Sequence, residues 1–145
     1  MAQKLMKVWN NVLAKIEIAN IIAVNEVGQH VQTEFKKLVE REVYDAYTPS
    51  DRYERTGDLR LSPTIVSVGM DGVRIEFADN GKWHSLAGRN KGQHFYALYG
   101  LEGGYTWGRP SSNIMREVTS NGFKNQISNV YMGAMIGRGI PIVRR

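Results

Sequence analysis

Over residues 2–47 the apolar positions Leu5, Val8, Val12, Ile16, Ala19, Ala23, Val27, Val31, Phe35, Leu38 and Ala46 recur mostly at intervals of three and four. This is the signature of one face of an α-helix. A second strip, Trp9, Leu13, Ile21, Ile22 and Val39, widens the apolar surface around the first half of the segment. No proline and a single glycine, Gly28, interrupt it. A rod of about 45 residues would be about 68 Å long, more than a small globule can cover. It therefore either breaks near Asn25–Gly28 into a hairpin or buries part of its apolar surface against neighbouring subunits. Glycine costs only about 1 kcal/mol in a helix, so Gly28 permits a break without imposing one. Pro49 disfavours helical geometry in the residue before it, which places the helix end near Thr48.

The period then changes. Residues 63–69 are rich in β-branched residues, and Val73, Ile75 and Phe77 alternate with Arg74, Glu76 and Ala78, a pattern that fits strands. Asp71-Gly72 is a two-residue hairpin signal between them, and Asn80-Gly81 a second turn leading into a further strand from Lys82. An antiparallel meander is expected. Residues 88–108 mix glycine with Phe95, Tyr96, Tyr99, Tyr105 and Trp107. After Pro110, Ser111 or Ser112 can cap a closing helix whose buried face is Ile114, Val118, Ile127, Val130, Tyr131 and Met135, with Gly122 as its weak point. Gly133, Gly137 and Gly139 end that helix. The fold class is α+β in one domain of residues 1–145: a helical segment 1–48, a loop and meander 49–110, a helix 111–136 and a terminal arm 137–145.

Composition narrows the function classes. The 145 residues contain no cysteine, which removes disulfides and cysteine-ligated zinc or iron–sulfur centres. No run of about 18 apolar residues exists for a membrane span, and the N-terminal residues lack a signal-peptide core. Charge is uneven: residues 1–72 hold nine Lys or Arg against ten Asp or Glu, residues 73–145 ten against four. No acid follows Glu117, whereas Lys124, Arg138, Arg144 and Arg145 do. Such a field favours polyanions, so a basic nucleic-acid-binding protein is one reading. A solubilising surface or an acidic protein partner accounts for the charge better than sequence-specific DNA binding does.

Catalytic chemistry finds little support. Histidine occurs only at 30, 84 and 94. His84 and His94 with Asp79 could form a metal site, or with Ser85 a nucleophile and base set. Their spacing matches no ligand signature, and Ser85 lacks a nucleophile elbow. A nuclease-like His84, Asn90, His94 set lacks a helical and strand frame. The stretch from Gly100 to Gly104 contains Glu102 and no phosphate-binding lysine, which fits turns. Arg52, Arg55 and Arg60 stand beside Asp51, Glu54 and Asp58, suggesting local ion pairs that are weak when exposed. No catalytic, metal or cofactor site is expected. Tyr44, Tyr47 and Tyr53 could stack on bases, although such residues more often pack a helix end or anchor an interface.

The order of several short motifs adds a resemblance. A long helix leads to Tyr53, Arg55, Thr56, Gly57 and Leu59. A meander follows over residues 66–77, then an aromatic segment 96–104 with Glu102 and Gly103, an Arg109-Pro110 step and a last helix over 114–131. In this order the chain resembles head–tail connector and tail-completion proteins of tailed bacteriophages. It departs from them at residues 60–63, Arg-Leu-Ser-Pro, and in an enlarged stretch 82–93. The resemblance implies a structural virion protein without catalytic residues: a homo-oligomeric ring in the phage neck, assembled in the host cytoplasm, contacting portal or adaptor and tail proteins, and letting DNA pass. It implies assembly contacts at Tyr53, Arg55, Thr56, Gly57, Leu59, Glu102, Gly103 and Arg109, and surfaces facing DNA or a partner at Arg138, Arg144 and Arg145.

Overall fold

The computed structural model describes residues 1–45, 63–77 and 113–143. They form an α+β arrangement with a long N-terminal helix, a two-stranded antiparallel sheet and a C-terminal helix. Helix α1, Ala2–Val39, is continuous and about 57 Å long. It does not break at Asn25–Gly28. Gly28 is buried inside it, where a Cβ would lie 2.7 Å from Val73 Cγ2, so the missing side chain lets the sheet approach the helix. The α-helix ends at Val39, earlier than Pro49 alone suggests, and continues as a π-helical turn, Glu40–Tyr44. The wider turn carries Tyr44 back toward the side of Val39, and Tyr44 packs on the cluster that contains Val39.

Strands β1, Pro63–Val68, and β2, Val73–Phe77, pair with Pro63 opposite Phe77, Ile65 opposite Ile75 and Val68 opposite Val73. The register shifts between Ile65 and Ser67, leaving Val66 as the extra residue of a bulge. The hairpin lies where Asp71-Gly72 predicts it, but its loop spans residues 69–72. Gly69 N donates to Gly72 O at 2.9 Å, and φ at Gly72 is not positive. The loop follows α1 instead of closing tightly, because Asn20 Nδ2 donates to Met70 O at 2.8 Å. Pro63 and Phe77 are buried and Ile65, Val73 and Ile75 half-buried, whereas Thr64, Arg74 and Glu76 face solvent. Gln32 Nε2 donates to Pro63 O and fastens the strand start to α1.

The expected single helix over 111–136 is two: α2, Ile114–Val118, and α3, Asn121–Ile136. The division falls before Gly122, at Ser120, which has extended backbone and accepts a hydrogen bond from Phe123 N through Oγ. This is an N-cap, and it starts a new helix where periodicity alone would continue the old one. Ser111 and Ser112 lie outside the described residues, as do the second turn at Asn80-Gly81 and the strand from Lys82. Helix α3 runs antiparallel to α1. Phe123 packs on Val27 and Val31, and Ala134 and Met135 pack on Ala19 and Ala23.

The end of α3 is a Schellman turn. Gly139 has φ 74°, its N–H bonds Ile136 O, and Ile140 N bonds Met135 O. Ile140 then packs on the cluster containing Met135, which turns the following residues back onto α1. Gly139→Ala should cost about 1–2 kcal/mol, the penalty of an L-residue in the left-handed region. A thermal unfolding scan checks this. An unchanged midpoint would mean that this turn does not hold the arm.

Candidate assembly surface

Two surface features stand out among the described residues. The first is the N-terminal half of α1. Residues 1–18 are all exposed, and burial begins at Ala19. Exposed here are Leu5 (67%), Trp9 (63%), Val12 (42%) and Ile16 (37%). At about 100° per residue these four form the midline of one helix face. Val8 flanks it on one side, Met6 and Leu13 on the other. Lys4, Lys7, Asn10 and Asn11 occupy the opposite face together with the exposed Ile18, and Lys15 lies at the border. The apolar arc spans about 160°, wider than the roughly 100° stripe that a surface helix turns to its own core. From Ala19 to Val39 the corresponding side of α1 is covered by α3, the sheet and α2. The same pattern is thus buried in one half of the helix and bare in the other.

The second region is an open groove of about 530 Å³ between α1, the hairpin loop and α3. Val24, Val27, Val73, Ile127 and Met132 give it apolar walls, and Asp71 contributes a charge. At the groove Tyr131 Oη donates to Asn20 Oδ1 at 2.7 Å while Asn20 Nδ2 donates to Met70 O, so one side chain ties three elements together. The tie joins residues far apart in sequence, and no local pattern announces it.

Of the basic residues expected to face DNA or a partner, Arg138 lies within the described residues. Its Nη2 donates to Glu26 Oε1 at 2.6 Å and its Nη1 to Ala134 O at 2.7 Å. This guanidinium therefore joins α3 to α1. Tyr53, Arg55, Thr56, Gly57, Leu59, Glu102, Gly103, Arg109, Arg144 and Arg145 lie outside the described residues, as do Asp79, His84, Ser85, Asn90 and His94. His30 Nε2 is buried without a hydrogen-bond partner. Among the described residues no group of three His, Cys, Asp or Glu is placed to hold a metal ion, and no helix is long and apolar enough to cross a membrane.

Comparisons with family models, curated proteins and solved structures gave no significant match.

Proposed function

We propose that this chain is a structural protein of the neck of tailed bacteriophages, one subunit of a homo-oligomeric ring that joins the portal or its adaptor to the tail. The observation that carries the reading is the bare apolar face of residues 1–18, an amount of hydrocarbon that a subunit working alone has reason to hide. The order of motifs along the sequence supports it. Such a protein works by geometry: identical subunits close a ring through head-to-tail contacts, and the lumen passes the genome. Its role is that of a connector, or of a tail-completion or terminator protein, at the head–tail junction of the virion.

In this reading Tyr53, Arg55, Thr56, Gly57 and Leu59 serve as a hinge at a contact between subunits. Glu102, Gly103 and Arg109 contribute to the same class of contact. Arg144 and Arg145 meet an adjacent ring or the passing DNA, and contact with DNA is weak and salt-sensitive, because a tight grip would oppose transit.

The test is assembly of particles with this chain withheld. The expected result is filled heads and finished tails that remain separate, joined when purified chain is added and not joined by a Gly57→Trp variant. Joined, infectious particles formed without the chain would overturn the reading.

A further inference from the structure

We propose that two copies of this chain pair antiparallel through the N-terminal halves of α1, so that each α1 starts where the α3 of the other copy ends and continues its line. The pairing goes beyond the proposed neck function and does not rest on it.

One seam runs down α1. Leu5, Trp9, Val12, Ile16, Ala19 and Ala23 follow one another at alternating intervals of four and three, a repeat that keeps a seam facing a neighbouring helix. From Ala19 onward the cover is α3: Ala134 and Met135 pack on Ala19 and Ala23, and Phe123 on Val27 and Val31. Helix α3 thus runs antiparallel to α1 and stops at the level of Ala19. Before that level residues 1–18 are all exposed. The same side of α1 therefore asks for one more antiparallel helix, in line with α3.

Sterics set the direction. The α1 of a parallel partner, which continues to Val39, would run along the same face into α3. An antiparallel partner ends in time. With Leu5 opposite the partner's Ile16 and Trp9 opposite the partner's Val12, the partner's Ala2 falls opposite Ala19, where α3 stops. The start of one helix then meets the end of another, and these carry opposite partial charges.

The flanks fit this register. On one side Met6 meets the partner's Leu13, twice over by symmetry. On the other Val8 lies under the aliphatic stem of the partner's Lys15, whose ammonium reaches water. Ile18, Ile21 and Ile22 are also exposed, but at 100° per residue their mean direction lies about 160° from the seam. They stay outside the pair and leave apolar surface for a second, side-to-side contact of the kind that closes a ring. A pair of this form joins subunits of two facing layers, and its twofold axis lies in the wall, so the lumen stays open.

The area suits a pair of modest strength. At ~60–120 Å² for a fully buried aliphatic side chain, the half-bare apolar residues of the two arcs offer ~400–800 Å² together. Interfaces are about 57% apolar, which makes the whole contact ~700–1,400 Å². This reaches the lower part of the ~1,200–2,000 Å² range of specific complexes.

The native chain has no cysteine, so single cysteines report the pairing directly in the full chain. Leu5→Cys mixed with Ile16→Cys should form a disulfide-linked pair on mild oxidation at least about tenfold faster than either variant alone, or than Leu5→Cys mixed with Asn11→Cys, because only opposed seam positions come within disulfide reach. Native mass spectrometry of the wild type at micromolar concentration should show pairs, or rings with an even number of chains. A Val12→Glu, Ile16→Glu double variant should halve that mass while its circular dichroism stays helical. A ring with an odd number of chains would overturn the pairing, as would Leu5→Cys alone linking as fast as the mixture. A wild-type monomer that still joins heads to tails would overturn the pairing and leave the neck function standing. Fast linking in the Leu5→Cys and Ile16→Cys mixture, together with particles that join without the chain, would do the reverse.

Discussion

Replacing Ile114 with alanine is expected to remove about 2–5 kcal/mol of stability. Ile114 is fully buried, and it clusters with Leu38, Val39 and Phe77, with Phe35, Tyr44 and Val118 around them. Phe35 and Phe77 meet edge to face at 5.3 Å, an arrangement that adds to their area burial. This cluster joins the end of α1, the last residue of β2 and the start of α2. Helix α2 has only the five residues Ile114–Val118 and no side-chain cap, so it is too short to persist without its anchor. Against a total of roughly 5–15 kcal/mol for a protein of this kind, the loss is large. Urea unfolding should show a lower midpoint with an unchanged slope. Met115→Ala, on the exposed side of the same short helix, should stay within about 0.5 kcal/mol. Similar midpoints for the two variants would mean that α2 is not docked through Ile114.

Gly28 should respond to substitution against the ordinary rule for glycine in a helix. Alanine at an unconstrained helical glycine stabilises by about 1 kcal/mol. At position 28 the added Cβ would lie 2.7 Å from Val73 Cγ2 and 3.5 Å from Ile65 Cδ1. The nearer atom belongs to a stiff β-branched side chain, so the sheet has to shift, at a cost of about 1–3 kcal/mol. Gly28→Ala is therefore expected to be neutral to destabilising by about 2 kcal/mol, and Gly28→Leu to cost about 3 kcal/mol or more. Gly133, which has nothing within 4 Å of the same virtual atom, supplies the opposite sign: Gly133→Ala should stabilise by about 0.5–1 kcal/mol. Adding Val73→Ala to Gly28→Ala should recover part of the loss, which a double-mutant cycle measures. A clear gain in stability for Gly28→Ala would contradict the close packing of β2 on α1.

Gly28 also marks the limit of what the sequence reveals. Spacing and the absence of proline predict a helix over the first third, and both its existence and its buried face at Ala19, Ala23, Val27, Val31 and Leu38 are as read. Whether glycine marks a break or a close approach depends on Val73, about 45 residues further on, and no local pattern carries that. The helix end differs for a related reason: a repeat of 3.6 residues contains no signal for the π turn at Glu40–Tyr44, whose purpose is to bring Tyr44 onto a tertiary cluster. The hairpin is legible in the alternation of Val73, Ile75 and Phe77. Its loop is not, because Asn20 holds Met70 from another element. Ser120 could have been read as a cap, since it stands three residues before Phe123 and seven before Ile127 at helical spacing, but the continuing periodicity of Ile114, Val118 and Ile127 masks it.

The candidate site divides along the same line. The apolar excess of Leu5 to Ile22 is legible as a surface in need of cover, and in the structure its large side chains from Leu5 through Ile22 are exposed. Arg138, read as a free charge among basic neighbours, is fastened to Glu26 from the far end of the chain. Local composition reports net charge, whereas pairing over such a separation depends on the fold.

The central claim, a ring-forming assembly protein, is tested most directly by the mass of the purified chain in native mass spectrometry, alone and with short duplex DNA at physiological salt. The expected result is closed rings, or a monomer that assembles into rings only with a virion component, and in either case no tight complex with DNA. A discrete small oligomer that holds duplex DNA tightly at that salt would contradict it and favour a nucleic-acid-binding protein.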